Sequence, residues 1–477
     1  MIKKFFKESL IYGLSRYIGK FIGVFLLPLY TSVLIPEDYG ILDLLGTVSI
    51  VSLYLVVSGT DSAMSYFYYK REYLKFRDKL VSSALWIRIF FSVIMFLILL
   101  LLSPYLSDLL FGKKFLIFFL ITGLTIIFNS VYSFLFDLLR FEFRPWFYTV
   151  ISVGGILVNI LLTIYYVLIL KQGVLGALIA SAIAYLLFFA ITIIYVFRKY
   201  GIGFSFPISK RLLKYGFPLI GTGIAVWILT SSDRYFIAHY ADLTSVGIYA
   251  VGMKLANFLG MLGGTIQLAW GPFAMSIQYN EGAKEIYSKI FKLFFLFNLL
   301  GVFFISMFAI DILKVFTQPS YYNAKAVVPF LCFSTIFWTG YFIVAIGINI
   351  TKKLQHTVWI TVTAAIINIS LNFIFTPIWG AIGAAFCLMI ANLFILVFTY
   401  VVSQKYYFVP YNSFIIIILY VLSFIIIGVT YYLELRIALR IIISSLYFIA
   451  LLIYLHKISL SFPAYKKFFH KFKLLNI

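Results

Sequence analysis

Gly173-Val174-Leu175-Gly176-Ala177 and Gly380-Ala381-Ile382-Gly383-Ala384 are two copies of one pattern, 207 residues apart. Asp38-Tyr39-Gly40-Ile41 recurs in outline as Ser245-Val246-Gly247-Ile248 at the same offset, 38 to 245. Each motif holds the same place relative to its neighbouring apolar runs. A unit of six apolar segments has therefore been duplicated in parallel, an arrangement found in transporters far more often than in enzymes.

Composition agrees with that class. Hydrophobic residues make up 63% of the 477, charged residues 11%, and the mean hydropathy is +1.05. Too little polar surface remains for a soluble globule, so an all-α polytopic membrane protein is expected. Runs of about twenty apolar residues predict about fourteen transmembrane helices. They fall near 9–34, 40–65, 80–103, 115–138, 146–168, 174–196, 215–238, 245–270, 290–313, 326–350, 357–375, 381–402, 412–431 and 437–456. The repeat divides them into two parallel-repeated six-helix bundles, 1–205 and 206–405, followed by two extra helices and a basic tail in 406–477. The segment from Arg198 to Lys214, with Gly201, Gly203 and Pro207, is the natural joint between bundles. In a six-plus-six arrangement a cavity on the axis between the halves opens to alternate sides as one half rocks against the other.

The 38 basic residues against 16 acidic ones would suggest nucleic acid in a soluble chain. Here they report topology. Lys3, Lys4 and Lys7, the cluster from Lys70 to Lys79, Arg140 and Arg144, Arg198 to Lys214, and Lys466 to Lys473 all fall in alternate loops, which the positive-inside rule places in the cytoplasm. Both termini are then cytoplasmic. The first run continues past Pro28 without a small-residue cleavage site and is read as a retained helix rather than a signal peptide. Cys332 and Cys387 lie within spans and are read as packing residues. The basic tail after Lys457 is expected to rest on anionic headgroups.

A charge in hydrocarbon needs a partner, water or a ligand, so embedded ionisable groups carry the functional signal. Five cations qualify, Arg16, Lys20, Arg88, Arg234 and Lys254, against the acids Asp43, Asp61 and Asp233, with Asp137 near a boundary. This cationic balance favours an anionic cargo. Gly13, Arg16, Lys20 and Gly23 share one helix face by their 3-4-3 spacing. Lys20 lies roughly 18 Å into its helix, near the midplane. Two cations one turn apart suit phosphate or diphosphate oxygens. The competing reading has Arg16 snorkelling to the surface and Lys20 paired with Asp43 or Asp61. Lys254 sits about ten residues into its span, too deep to snorkel. Arg16, Lys20, Arg88 and Lys254 are therefore the candidate substrate-binding residues.

Asp61, Asp233 and Arg234 are candidates for ion coupling or gating, although Asp233 and Arg234 could equally form an internal ion pair. Ser58, Asp61, Ser62 and Ser65 read as one polar stripe, either a cavity wall or a helix end among headgroups. Asn159 and Asn368, matched between the bundles, either line the axis or bridge helices.

Pro36-Glu37-Asp38-Tyr39-Gly40, Ser232-Asp233-Arg234-Tyr235 and the two Gly-x-x-Gly-Ala motifs together resemble bacterial polysaccharide-unit flippases. That family lies within the multidrug/oligosaccharidyl-lipid/polysaccharide exporter superfamily, and the similarity extends over nearly the whole chain. It implies a plasma-membrane flippase that moves an undecaprenyl-diphosphate-linked oligosaccharide, an O-antigen, capsule or related unit, to the outer leaflet. Coupling to a proton or sodium gradient is implied too, as is work beside a glycan polymerase and export machinery. Three alternatives stand beside it. A lipid II flippase shares the superfamily and the diphosphate cargo. A multidrug exporter would have twelve helices and an acidic cavity. A polyprenyl-linked glycosyltransferase, polymerase or ligase would have to use Glu37 and Asp38, in a first outer loop of only about six residues. Nothing in the chain reads as a nucleotide-binding loop, a metal-ligand cluster among the four histidines or a nucleophile elbow, so neither enzymatic activity nor a cofactor is expected.

Overall fold

The computed structural model describes residues 26–113 and 115–460. Among these residues the protein is helical, with seventeen α-helices following a helix that ends at residue 33, joined by short 3-10 and π segments and loops. They form two compact units. One comprises 26–250 with 369–384, and the other 251–368 with 385–460.

The first unit contains α1 (Pro36–Val57), α2 (Thr60–Phe67), α3 (Arg77–Phe111), α4 (Leu116–Phe141), α5 (Pro145–Thr163), α6 (Gly173–Tyr200), α7 (Phe206–Gly216), α8 (Ile220–Ser231) and α9 (Asp233–Tyr240). It also holds the start of α10 (Leu243–Ser276). The second unit contains the rest of α10, then α11 (Ala283–Met307), α12 (Ala309–Phe316), α13 (Val328–Val344) and α14 (Ile346–Ile350). Both ends of α15 (Gln355–Tyr406) belong to it, with α16 (Phe414–Tyr432) and α17 (Ile437–Leu460).

Among the described residues eleven helical segments are long and apolar enough to cross a membrane. Their outward faces are apolar, with Leu101 80% and Trp146 68% exposed, as surfaces meeting lipid must be. The runs expected at 357–375 and 381–402 are two helices that meet without a loop, at a sharp kink where Gly380 leaves helical geometry, φ 55° and ψ −133°; the two are labelled together as α15. Conversely, the run expected at 40–65 breaks into α1 and α2, because Ser58 and Gly59 both turn left-handed. Residues 26–33 are helical and belong to the first predicted run; its earlier part, with Gly13, Arg16, Lys20 and Gly23, lies outside the described residues, as does the tail beyond 460. Cys332 and Cys387 are buried.

The segment from Arg198 to Lys214 is mostly helical. Its short linker is fastened to α3, where Ser82 Oγ donates to Gly203 O, Trp86 Nε1 to Ile202 O at 3.1 Å and Ser205 N to Ser83 Oγ at 3.0 Å. In the second unit α16 and α17 pack on α11. Phe303 stacks on Tyr447 at 4.1 Å, Tyr420 OH donates to Phe295 O at 3.0 Å, and Arg440 Nη1 meets Asp311 Oδ2 at 2.7 Å.

The repeated motifs are repeated backbone solutions. Gly173 and Gly380 both have positive φ, 57° and 55°, which a side chain would strain. Gly40 and Gly247, the other matched pair, lie against each other where α1 and α10 cross: a Cβ on Gly40 would stand 2.2 Å from Leu243 O, and one on Gly247 1.9 Å from Pro36 O. Neither backbone oxygen can rotate aside. Gly247→Ala is therefore expected to destabilise the protein by about 3 kcal/mol. Gly271→Ala, where a Cβ meets nothing within 4 Å, leaves stability level or higher. Thermal unfolding of both variants in detergent checks the contrast, and equal melting temperatures would contradict the crossing.

Candidate functional site

The strongest concentration of buried polar chemistry in the first unit is where α1, α8, α9, the start of α10 and residues 369–384 converge. Two turns into α1, the carboxylate of Asp43 accepts from Arg234 Nε at 2.8 Å. Arg234 Nη1 also donates to Thr230 O at 2.6 Å, and the guanidinium lies over the Tyr249 ring, 5.3 Å from its centroid. Asp233 is fully buried. Its Oδ2 accepts from Tyr249 OH at 2.8 Å and its Oδ1 from Asn372 Nδ2 at 3.1 Å. Thr376 Oγ1 in turn donates to Asn372 Oδ1 at 2.7 Å. Around this core Thr47 Oγ1 donates to Tyr235 OH at 2.8 Å, and Trp227 Nε1 donates to Thr47 O at 3.0 Å.

Asp233 and Arg234 thus do not pair with each other, contrary to one of the sequence readings. Consecutive helical residues point about 100° apart, so each meets a different neighbour. The Arg234 guanidinium is bonded to Asp43, while Asp233 is held by Tyr249 and Asn372. All donors of the group are hard oxygens, suited to a proton or an alkali cation and not to a soft metal. Among the described residues no three His, Cys, Asp or Glu side chains cluster as a metal site.

The other candidates fall elsewhere. Arg88 is buried on α3 and held by α4, with Nη2 2.7 Å from Asp137 Oδ2, Nη1 3.2 Å from Ser133 Oγ and 3.3 Å from Ser130 O. Its charge is answered within that helix pair. Asp61 is half-buried in the first turn of α2, where the helix dipole favours a carboxylate. The break at Ser58 and Gly59 divides the expected stripe, since Ser58 ends in a left-handed turn while Ser65 is exposed a turn beyond Asp61. Glu37 and Asp38 are not in a loop: Pro36 at the helix start and the dipole draw them into the first turn of α1, and Glu37 pairs with Lys113 at 3.3 Å.

Lys254, three turns into α10, is exposed with Asn257 beside it, and no carboxylate among the described residues lies within ion-pair distance. Arg16 and Lys20 are outside the described residues. Asn159 Nδ2 donates to Ser181 Oγ at 3.3 Å and so bridges α5 to α6.

Sequence reasoning passed over Asn372 and Thr376. A signal was there: Asn368, Asn372 and Thr376 recur every fourth residue in an apolar span, a polar stripe on one helix face.

A helical fold of eleven or more spans with charge buried inside the bundle defines a class of multi-pass membrane proteins, and comparison with known proteins narrows it. The family model described as "Polysaccharide biosynthesis protein" matches residues 31–278, and the MatE model matches residues 218–374. The chain belongs to the polysaccharide biosynthesis protein family. No curated protein matches the sequence. Among solved structures, the lipid II flippase MurJ in an inward closed conformation matches with a TM-score of 0.70 and 18% identity, covering 94% of this chain and 98% of that one. An inward-facing multidrug resistance MATE family transporter of the MOP superfamily gives 0.63 and 18%, covering 83% and 94%. The Vibrio cholerae MATE transporter VcmN in its bent form gives 0.53 and 14%, covering 84% and 96%. The fold is the one these proteins share.

Arg88→Met leaves Asp137 with Arg140, half exposed on the same helix, as its remaining ion-pair partner among the described residues, and is expected to cost about 3 kcal/mol, most of it recovered by adding Asp137→Leu. Melting curves of the single and double variants read this directly; an unchanged single variant would show that the pair carries little.

Proposed function

We propose that this protein flips a polyprenyl-diphosphate-linked oligosaccharide across the bacterial plasma membrane by alternating access, with both ends of the chain in the cytoplasm, as a step in polysaccharide biosynthesis. The observation that carries the reading is the sorting of embedded cations. Arg88 and Arg234 are answered by Asp137 and Asp43, whereas Lys254 is exposed in a long apolar helix with no carboxylate within ion-pair distance among the described residues. An unanswered ammonium at that depth calls for an anionic ligand, and a diphosphate supplies one. Lys20, with Arg16 one turn before it, is the matching candidate by sequence. The family match over residues 31–278 supports a glycan on the lipid. An O-antigen or capsule repeat unit is the cargo that reading favours, delivered to a polymerase and export machinery on the far side.

Asp233 is the coupling group in this reading. Its carboxylate, with Asn372 Oδ1 and Thr376 Oγ1 close by, can take a proton or a sodium ion and lose it again as the surroundings change. No nucleotide is needed.

A second reading has a specific observation behind it. The likeness to the lipid II flippase spans nearly the whole chain at a TM-score of 0.70, and its cargo would carry the same diphosphate.

Deleting the gene in its own host separates the two. The account expects intact lipid-linked units to accumulate in the inner leaflet and surface glycan to disappear while peptidoglycan synthesis continues; peptidoglycan arrest would favour lipid II instead. Complementation with Lys254→Ala or Lys20→Ala is expected to lower surface glycan at least tenfold at wild-type protein level, and full activity of both would remove the cationic site from the account. Asp233→Asn is expected to insert normally but to lose the dependence of transport on the ion gradient, measured with ionophores.

A further inference from the structure

At the meeting of α4, α5 and α6 the first unit carries a groove that the transport reading does not use. A cavity of about 450 Å³ is lined by Phe147 from the first turn of α5 and by Ile191, Ile194, Tyr195, Arg198 and Lys199 from the end of α6. Ile191, Ile194, Tyr195 and Arg198 follow the i, i+3, i+4, i+7 spacing, so they form one stripe that runs from aliphatic to aromatic to cationic over roughly 10 Å. Ile191 and Ile194 are 39% and 52% exposed, which leaves an apolar trench open to the bilayer.

The charge at the mouth of the groove is not balanced. Glu142 is the carboxylate there, and its side chain is only 4% exposed. It accepts from Tyr195 OH at 2.5 Å, Lys199 Nζ at 2.6 Å and Tyr200 OH at 2.7 Å, and Arg144 Nε stands 3.3 Å away. Glu142 thereby sets the positions of the cations and the tyrosine without facing the groove. Among the described residues Arg144, Arg198 and Lys199 stand against this acid. Arg198 is exposed and has no carboxylate within ion-pair distance among the described residues.

We propose that this groove is a binding site for an anionic glycerophospholipid, its phosphate on Arg198 and Lys199 and one acyl chain along Ile194, Ile191 and Phe147. A soluble anion would use the cations and leave the trench empty, whereas a zwitterionic lipid would fill the trench and bring its own cation to a mouth that already has an excess of them. Basic pockets between spanning helices that continue into apolar grooves match an acidic headgroup and its chain together.

The test is native mass spectrometry on the purified full chain, delipidated in neutral detergent and titrated with palmitoyl-oleoyl phosphatidylglycerol or palmitoyl-oleoyl phosphatidylcholine. The wild type is expected to retain one phosphatidylglycerol with about tenfold preference over phosphatidylcholine. Arg198→Glu is expected to abolish the preference, Arg198→Lys to keep it, and Ile194→Trp, which fills the trench without touching the charge, to weaken phosphatidylglycerol about tenfold. Both residues are exposed, and unchanged melting temperatures would show that the variants fold. Equal retention of the two lipids by wild type, or wild-type binding by both Arg198→Glu and Ile194→Trp, would overturn the proposal. Displacement of phosphatidylglycerol by millimolar inorganic phosphate would also overturn it, reducing the site to an anion patch, and so would tighter binding there of a polyprenyl diphosphate, which would make it a cargo site.

Discussion

An ionised side chain in hydrocarbon must be met from within the protein, and the contact of Arg234 with Asp43 is where this requirement organises the first unit. The two residues are 191 positions apart, and joining them fixes α1 against α9. Arg234 also lies on the ring of Tyr249, and Tyr249 bonds Asp233, so the start of α10 is tied into the same group. Asn372 then brings residues 369–384 to it, far from the rest of that unit in sequence. Removing the guanidinium would take from Asp43 its ion-pair partner among the described residues, and breaking a partly buried pair in this way is destabilising.

The same rule sorts the remaining cations. Arg88 is spent on Asp137 and Arg440 on Asp311, each between neighbouring helices of one unit. Lys254 meets no carboxylate among the described residues. The difference between paired and unpaired cations is the physical content of the functional reading, because a site for a diphosphate must keep at least one positive charge that the fold itself has not neutralised.

Much of this was legible in the sequence, for identifiable reasons. Helix positions follow from apolar run length, since the bilayer sets a length that a sequence can be measured against. The repeated glycines marked real constraints: Gly173 and Gly380 for a positive φ, Gly40 and Gly247 for a crossing too close for any side chain. Embedded charges were visible as a list, but their partners were not, because pairing depends on which helices become neighbours. Asp43 looked available to Lys20 until the fold gave it to Arg234. Adjacent Asp233 and Arg234 invited pairing on paper, although one helical step turns them apart. Breaks were the least legible. Ser58-Gly59 breaks the helix at the start of the polar stretch that had been read as one continuous stripe, and at Gly380 the two helices meet directly, without the loop expected between them.

The central claim, movement of a lipid-linked glycan diphosphate from one leaflet to the other, is tested most directly with the purified protein reconstituted in liposomes. Fluorescently tagged polyprenyl-diphosphate oligosaccharide is placed in both leaflets, and outer-leaflet label is quenched by a membrane-impermeant reductant. The account predicts that the wild type exposes the protected inner pool when an ion gradient is imposed, and that Lys254→Ala leaves about half of the label protected, as protein-free liposomes do. Equal protection with and without the wild-type protein, under either sign of gradient, would contradict it.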